Sequence, residues 1–374
     1  MNIEHRTGRW PPATPSVART SSPFIASSLR VFASSRETEK SRVQRAQSLR
    51  AASNMKETRL DELREEARRK GRVDGPGVHP DGSSMPAPQQ ARDYYGLPLL
   101  KEPVWTWEVP AYFFVGGAAG ASAVLAAVAQ LTGGREDLVR NARWVAAAGA
   151  ALSTPLLIAD LGRPEPFLNM LRVFKVRSPM SVGAWTLVTF GTASAAAAFA
   201  DEVRRRTDLP VTLLGNAAAT LAAATGLVMA TYTGVLIGAT AIPVWSKNVS
   251  LLPMHFGASA LGSAVSILQL LGHDDVALNA LGLAAAAFET WTGFRIETGT
   301  DSASAPLRHG PTGVTMRLSG FFSGPLPLLL RLAGFRSRST RHAAAVSTLL
   351  GSLITRMAWI EAGKASARDP RALG

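Results

Sequence analysis

From Pro110 onward the chain passes through one apolar stretch of about 20 residues after another, separated by short charged loops. A helix of that length reaches across a hydrocarbon core about 30 Å thick. Inside lipid no water is available to the backbone, so every N–H and C=O must find a partner within the segment, and a helix provides one. The runs therefore predict an all-α integral membrane protein. Eight transmembrane helices are expected, at about 110–132, 142–160, 180–200, within 210–245, and at 249–272, 275–294, 318–335 and 342–361. The seventh is short and carries Pro325 and Pro327. "WTWEVPAYFF" introduces the first span with Trp105, Trp107 and Tyr112, a pattern of interfacial aromatics. In "GGAAGASA", Gly116 and Gly120 have the spacing that lets two helices approach closely, and helix packing is the expected role.

Residues 1–92 stand apart as a disordered or weakly structured N-terminal extension. Residues 1–54 are rich in Ser, Arg and Ala and lack apolar periodicity. They read either as an over-extended frame upstream of a start at Met55 or as a transit-like stretch. "KETRLDELREEARRK", 56–70, is a charged helix candidate with Leu60, Leu63 and Ala67 on one face. A Gly/Pro/Ser-rich linker follows over 71–91. The membrane domain is expected over 93–365 and a C-terminal tail over 366–374.

The net charge of +13 is uneven. Its excess lies in the first tail and in the loops between apolar runs, which points to a membrane protein with basic flanks. No reading motif for nucleic acid accompanies the basic residues, so a nucleic-acid partner is not expected. The chain has no cysteine, so it forms no disulfide and cannot itself hold a Cys-ligated iron–sulfur cluster. A bis-His haem needs two axial ligands within the bundle. Of six histidines only His255 falls well inside a span, with His342 at a rim, so no haem is expected. No metal site is expected either.

Ionisable groups within spans are costly and usually functional. Glu108 opens the first span, and Tyr112 lies one turn later on the same face. Asp160 and Arg163 close the second span. Tyr232 lies in the fourth, Lys247 ends that stretch, and His255 starts the fifth. Glu289 lies in the sixth and Arg356 in the eighth. Plain roles compete at each position. Asp160 and Arg163 also suit an i,i+3 pair closing a helix, and Tyr232 an interhelical hydrogen bond. His255 also suits a satisfied interfacial histidine, and Glu289 and Arg356 either a buried pair or a proton path. Lys247 and Glu108 also suit snorkelling to the interface.

Three segments carry a family resemblance. They are "YYGLPLLKEPVWTWEVPAYFFVGGAAGASA", "DLGRPEPFLNMLRVFKVRSPMSVGAW", and "YTGVLIGATAIPVW" followed by "LLPMHF". Together the chain resembles the NrfD family, the membrane subunits of polysulfide-reductase-like and nitrite-reductase-like complexes. The resemblance runs from about Tyr94 to the eighth span. It implies two four-helix bundles without haem, in the inner (cytoplasmic) membrane of a bacterium. It implies electron exchange between a quinol or quinone, such as menaquinone, and a four-cluster ferredoxin-like iron–sulfur subunit. A molybdopterin oxidoreductase or multihaem cytochrome subunit would complete the complex, so this chain would be its quinol-reactive and not its terminal catalytic subunit. The resemblance places the quinone near one membrane face of the first bundle. Tyr232 in "YTG" matches the family tyrosine at that site, and Glu108 or Tyr112 corresponds to a polar position of the first helix. Asp160 and Arg163 would then rim the pocket, with Asp160 or Glu108 as proton acceptor and Arg163 holding Asp160 ionised. Lys247 and His255 are further candidates for contact with the quinone. Two other functions compete. One is a proton or ion transporter, suggested by Glu289, Arg356 and the Pro-broken seventh span. The other is a non-catalytic membrane anchor for a soluble oxidoreductase.

Overall fold

The computed structural model describes residues 100–162, 164–333 and 337–369. The N-terminal extension, its 56–70 helix candidate and Arg163 lie outside the described residues. Within them the chain is helical, with no strand. In chain order the helices are α1 (Glu108–Leu131), α2 (Glu136–Leu161), α3 (Pro164–Met170), α4 (Pro179–Arg206), α5 (Thr212–Gly238) and α6 (Pro243–Lys247). They continue with α7 (Leu251–Leu270), α8 (Val276–Thr298), α9 (Ala305–Arg308), α10 (Gly310–Ser323), α11 (Pro325–Ala333) and α12 (Arg338–Arg368).

Among the described residues, six helices are long and apolar enough to cross a membrane: α1, α2, α4, α5, α7 and α12. They coincide with six of the expected spans. The sixth expected span forms α8, a helix of 23 residues that carries Glu289, Arg295 and Glu297. The seventh differs more. It begins at Gly310 and not near 318, and it breaks into α10 and α11 at Gly324, with Pro325 opening the second piece. A proline lacks the N–H to continue a helix but is well placed in a first turn, so the break falls where the sequence removes a donor. The fourth expected span ends at Gly238, and its remainder becomes the short α6.

Helix ends follow local chemistry. Gly162 closes α2 in the left-handed region at φ 71°, which a residue with Cβ adopts only with strain. Ser178 caps α4 by accepting a hydrogen bond from the Ser181 N–H, with Pro179 at the first helical position.

The packing has small residues inside and large apolar ones outside. Ala119, Ala142, Ala198, Ala260 and Ala264 are buried, whereas Leu152, Phe199, Leu213, Leu227 and Leu350 are exposed. A water-soluble protein of this size would not leave so much large apolar surface uncovered. In lipid, outward Leu and Phe cost nothing, and small inward residues let helices close up.

α1 is central to this packing, resting on α2, α5 and α7. Its closest approach is to α5: a Cβ on Gly120 would lie 2.4 Å from the Gly226 carbonyl oxygen, and one on Gly226 2.6 Å from that of Gly120. The close-approach role expected for Gly120 therefore has its partner. Farther along, α12 packs on α7, α10 and α11. α6 ties the α5–α7 connection to α12. The Trp245 indole donates to the Trp359 carbonyl at 2.8 Å, Trp105 stacks on Trp245, and a Cβ on Gly363 would meet the Trp245 ring at 2.0 Å.

Replacing Gly120 with Val should force α1 and α5 apart and destabilise the fold by about 1–3 kcal/mol. A fall in the melting temperature of the detergent-solubilised protein, larger than for Gly293→Val at a position with open space, is the expected result.

Candidate functional site

Successive spans run in opposite directions. The start of α1, the end of α2, the start of α4 and the end of α5 therefore meet at one end of the packed helices. Glu108 occupies the first position of α1, and Tyr112 follows one turn later, buried. Asp160 lies in the last turn of α2 and is half-buried. The Glu108 carboxylate is near enough for its charge to act on Asp160, and Tyr112 lies near Tyr232. The Tyr112 ring lies by the face of α1 where Gly116 leaves room for Ser153 of α2 and Met229 of α5. Two phenols and two carboxyl groups thus share one end of these helices.

Tyr232 is held more tightly than its sequence suggests. Its hydroxyl donates to the Pro179 carbonyl at 2.6 Å, and a Cβ on Gly183 would lie 2.1 Å from the phenol. The interhelical hydrogen bond, one of the two roles open to this tyrosine, is therefore made. Asp160 has no ion-pair partner among the described residues, and Arg163 lies outside them. Such an arrangement can donate a hydrogen bond from Tyr112 and accept protons at Asp160 and Glu108. Lys247 ends α6 exposed.

His255, Glu289 and Arg356 come together elsewhere, among α7, α8, α10 and α12. His255 Nδ1 is 3.5 Å from Glu289 Oε1 and 3.2 Å from the Thr292 hydroxyl. Ser323 of α10 donates to Glu289 Oε2 at 3.0 Å. Arg356 donates to the Phe256 carbonyl at 3.0 Å, with its guanidinium 3.9 Å from the Phe256 ring centroid. The structure thus groups His255 with Glu289 and Arg356, and not with the tyrosines.

Three buried arginines, Arg143, Arg308 and Arg331, were not singled out from sequence. Arg143 pairs with Asp201 at 2.5 Å and with Gln130 at the far ends of α2 and α4, where a small cavity is lined by Ala123, Ala146 and Ser194. Expected span edges at 142 and 200 left Arg143 just inside one span and Asp201 just outside another, and only a shared end reveals the pair. Arg331 of α11 is fully buried and is held by Gln269 at 2.7 Å, Ser266 at 3.3 Å and Asn279 at 3.5 Å, all neutral. The signal for it was a cation within the Pro-broken span. A buried polar atom without a partner costs about 1–3 kcal/mol. Around Arg331, His255, Glu289 and Arg356, several such atoms have no hydrogen bond among the described residues: His255 Nε2, Glu289 Oε1, Arg356 Nε and Nη1, Arg331 Nε, Gln269 Nε2 and Asn279 Nδ2.

Gly183→Ala should push the Tyr232 ring away, break its bond to Pro179 and destabilise the protein by about 1–3 kcal/mol. In a Tyr232→Ala background the same change should cost much less, a coupling that thermal melts of the four proteins would reveal.

A comparison with curated proteins finds no match. Residues 98–273 match the family model described as polysulphide reductase, NrfD, a stretch that takes in α1 through α7 and with them Glu108, Tyr112, Asp160, Tyr232 and His255. That segment of the chain is similar to the NrfD, or polysulphide reductase, family.

Proposed function

We propose that this chain is the quinol-reactive subunit of a respiratory oxidoreductase complex in the bacterial inner membrane. It would exchange electrons with a partner iron–sulfur subunit. The coarser part rests on the family and on the six apolar helices: this is a membrane subunit of a respiratory oxidoreductase. In the proposed reading α8 and the broken pair α10–α11 complete eight passes, arranged as two groups of four. The observation that carries the redox reading is the convergence of Tyr112, Tyr232, Glu108 and Asp160 at one end of α1, α2, α4 and α5.

Quinol oxidation supplies two electrons and releases two protons, so the site needs a donor for an oxygen and an acceptor for protons. The Tyr112 hydroxyl makes no hydrogen bond among the described residues and would donate to a ring oxygen. Asp160 is half-buried and would take a proton. Glu108, within range of its charge, would pass that proton toward the aqueous edge where α1 begins. Tyr232 is committed to the Pro179 carbonyl, so its ring would form a fixed wall and its hydroxyl would not be the first donor. Exposed Leu168, Val173, Phe174 and Met180 near the α3–α4 connection give an apolar approach from the lipid. The electrons would leave to a cluster on the partner, because this chain has no cysteine to hold one.

Asp160→Asn should lower quinol turnover of the assembled complex by about 100-fold, while the iron–sulfur partner still copurifies. Turnover equal to wild type would remove Asp160 from the mechanism. Loss of copurification would instead assign Asp160 to assembly, the result expected of a membrane anchor.

A further inference from the structure

A column of buried polar side chains runs along α7 in the C-terminal half, apart from the tyrosine site. Ser259, Ser263 and Ser266 recur on one face of α7 at i, i+4 and i+7. The Ser259 and Ser352 hydroxyls are 2.6 Å apart, and Ser263 reaches Ser352 at 3.1 Å. Ser266 accepts from Arg331 at 3.3 Å, and Gln269 accepts from it at 2.7 Å. At one end of the column, His255 lies one turn before Ser259 and Arg356 one turn after Ser352, beside Glu289. At the other, Asn279 lies in the first turns of α8, close to Asp274, which pairs with Arg338 and Arg341 at the surface.

We infer that this column is a proton-loading path, in which Glu289 and His255 bind an exchangeable proton reached from the 271–275 face through the serine hydroxyls. From His255 to Gln269 is 14 residue steps along α7, about 21 Å of rise, or roughly two thirds of a hydrocarbon core. Helix packing alone explains a serine that bonds back to its own helix, as Ser263 does to the Ser259 carbonyl. It also accounts for hydroxyls bonded to one another across α7 and α12, but not for orphaned polar atoms at both ends of the same column. In this path, water bound at such atoms would bridge them to the hydroxyls, forming a chain along which each oxygen accepts one proton as it donates another. Facing Glu289 are His255 from α7, Arg356 from α12 and the neutral Ser323 from α10. No carboxylate pairs with Arg331 among the described residues. Its fixed charge opposes a free leak of cations, so the column loads and unloads a proton at Glu289 and does not act as an open channel.

The test needs no quinol chemistry, so its failure is separate from failure of the redox reading. The full chain in lipid nanodiscs is followed by infrared spectroscopy, and the carboxylic C=O band that disappears in Glu289→Gln is monitored. That band should titrate with pH and shift on perfusion with D2O. In the Ser259→Ala/Ser352→Ala double variant the shift should slow at least about tenfold, while Ser122→Ala, in α1 and outside the column, should leave it unchanged. If the double variant does not fold, Ser263→Ala gives the same readout. A Glu289 band that never titrates, or an exchange rate indifferent to the column hydroxyls, overturns the inference.

Discussion

The close crossing of α1 and α5 sets the geometry of the N-terminal half. It exists because Gly120 and Gly226 face each other with no side chain between them. In lipid, apolar association gains nothing from expelling water, so contact depends on how near two backbones can come. At this crossing the backbones come within contact distance. Tyr112 lies two turns before Gly120 on α1, and Tyr232 follows Gly226 on α5. The same crossing that holds the helices together therefore brings the two phenols into register. Gly183 then admits the Tyr232 ring beside α4, so removal of side chains at three positions creates the space in which the polar ones meet.

Charge is handled differently in the two halves. Arg143 has its carboxylate, Asp201, at 2.5 Å with a further bond to Gln130. A buried pair of this kind recovers in Coulomb attraction part of what desolvation removes. Arg331 has only amides and a hydroxyl around it, whereas Arg356 has a carbonyl and an aromatic face and also lies near the Glu289 carboxylate. Membrane proteins retain poorly compensated ions where the ion itself is used, and Arg331, in the C-terminal half, is such an ion.

Much of the fold was legible in the amino-acid sequence, because an apolar run of 18 or more residues has few alternatives to a spanning helix. Six spans were placed this way, and Pro325 marked the break in the seventh. The start of that segment at Gly310 was missed because Arg317 and the glycines dilute its apolar character. At the candidate site, Glu108, Tyr112, Asp160 and Tyr232 drew attention as polar groups within or at the ends of spans, and the structure brings them to one end. The bond from Tyr232 to Pro179 was not legible, since it joins residues 53 apart through tertiary packing. The placement of His255 with Glu289 and Arg356 likewise depends on which helices are neighbours. The serine column was invisible for a further reason: serine at helical spacing in a membrane span is equally consistent with ordinary close packing.

The tryptophan joint at α6 has a mechanical corollary. Trp105 precedes α1, Trp245 sits in α6, and Trp359 and Gly363 belong to α12; stacking, a hydrogen bond and a ring seated against a bare backbone link all three. Such a joint resists both shear and rotation. Any tilt of the last helix would drag the leading edge of the first with it, so Glu108 and the C-terminal helix would move as linked levers and not as independent parts.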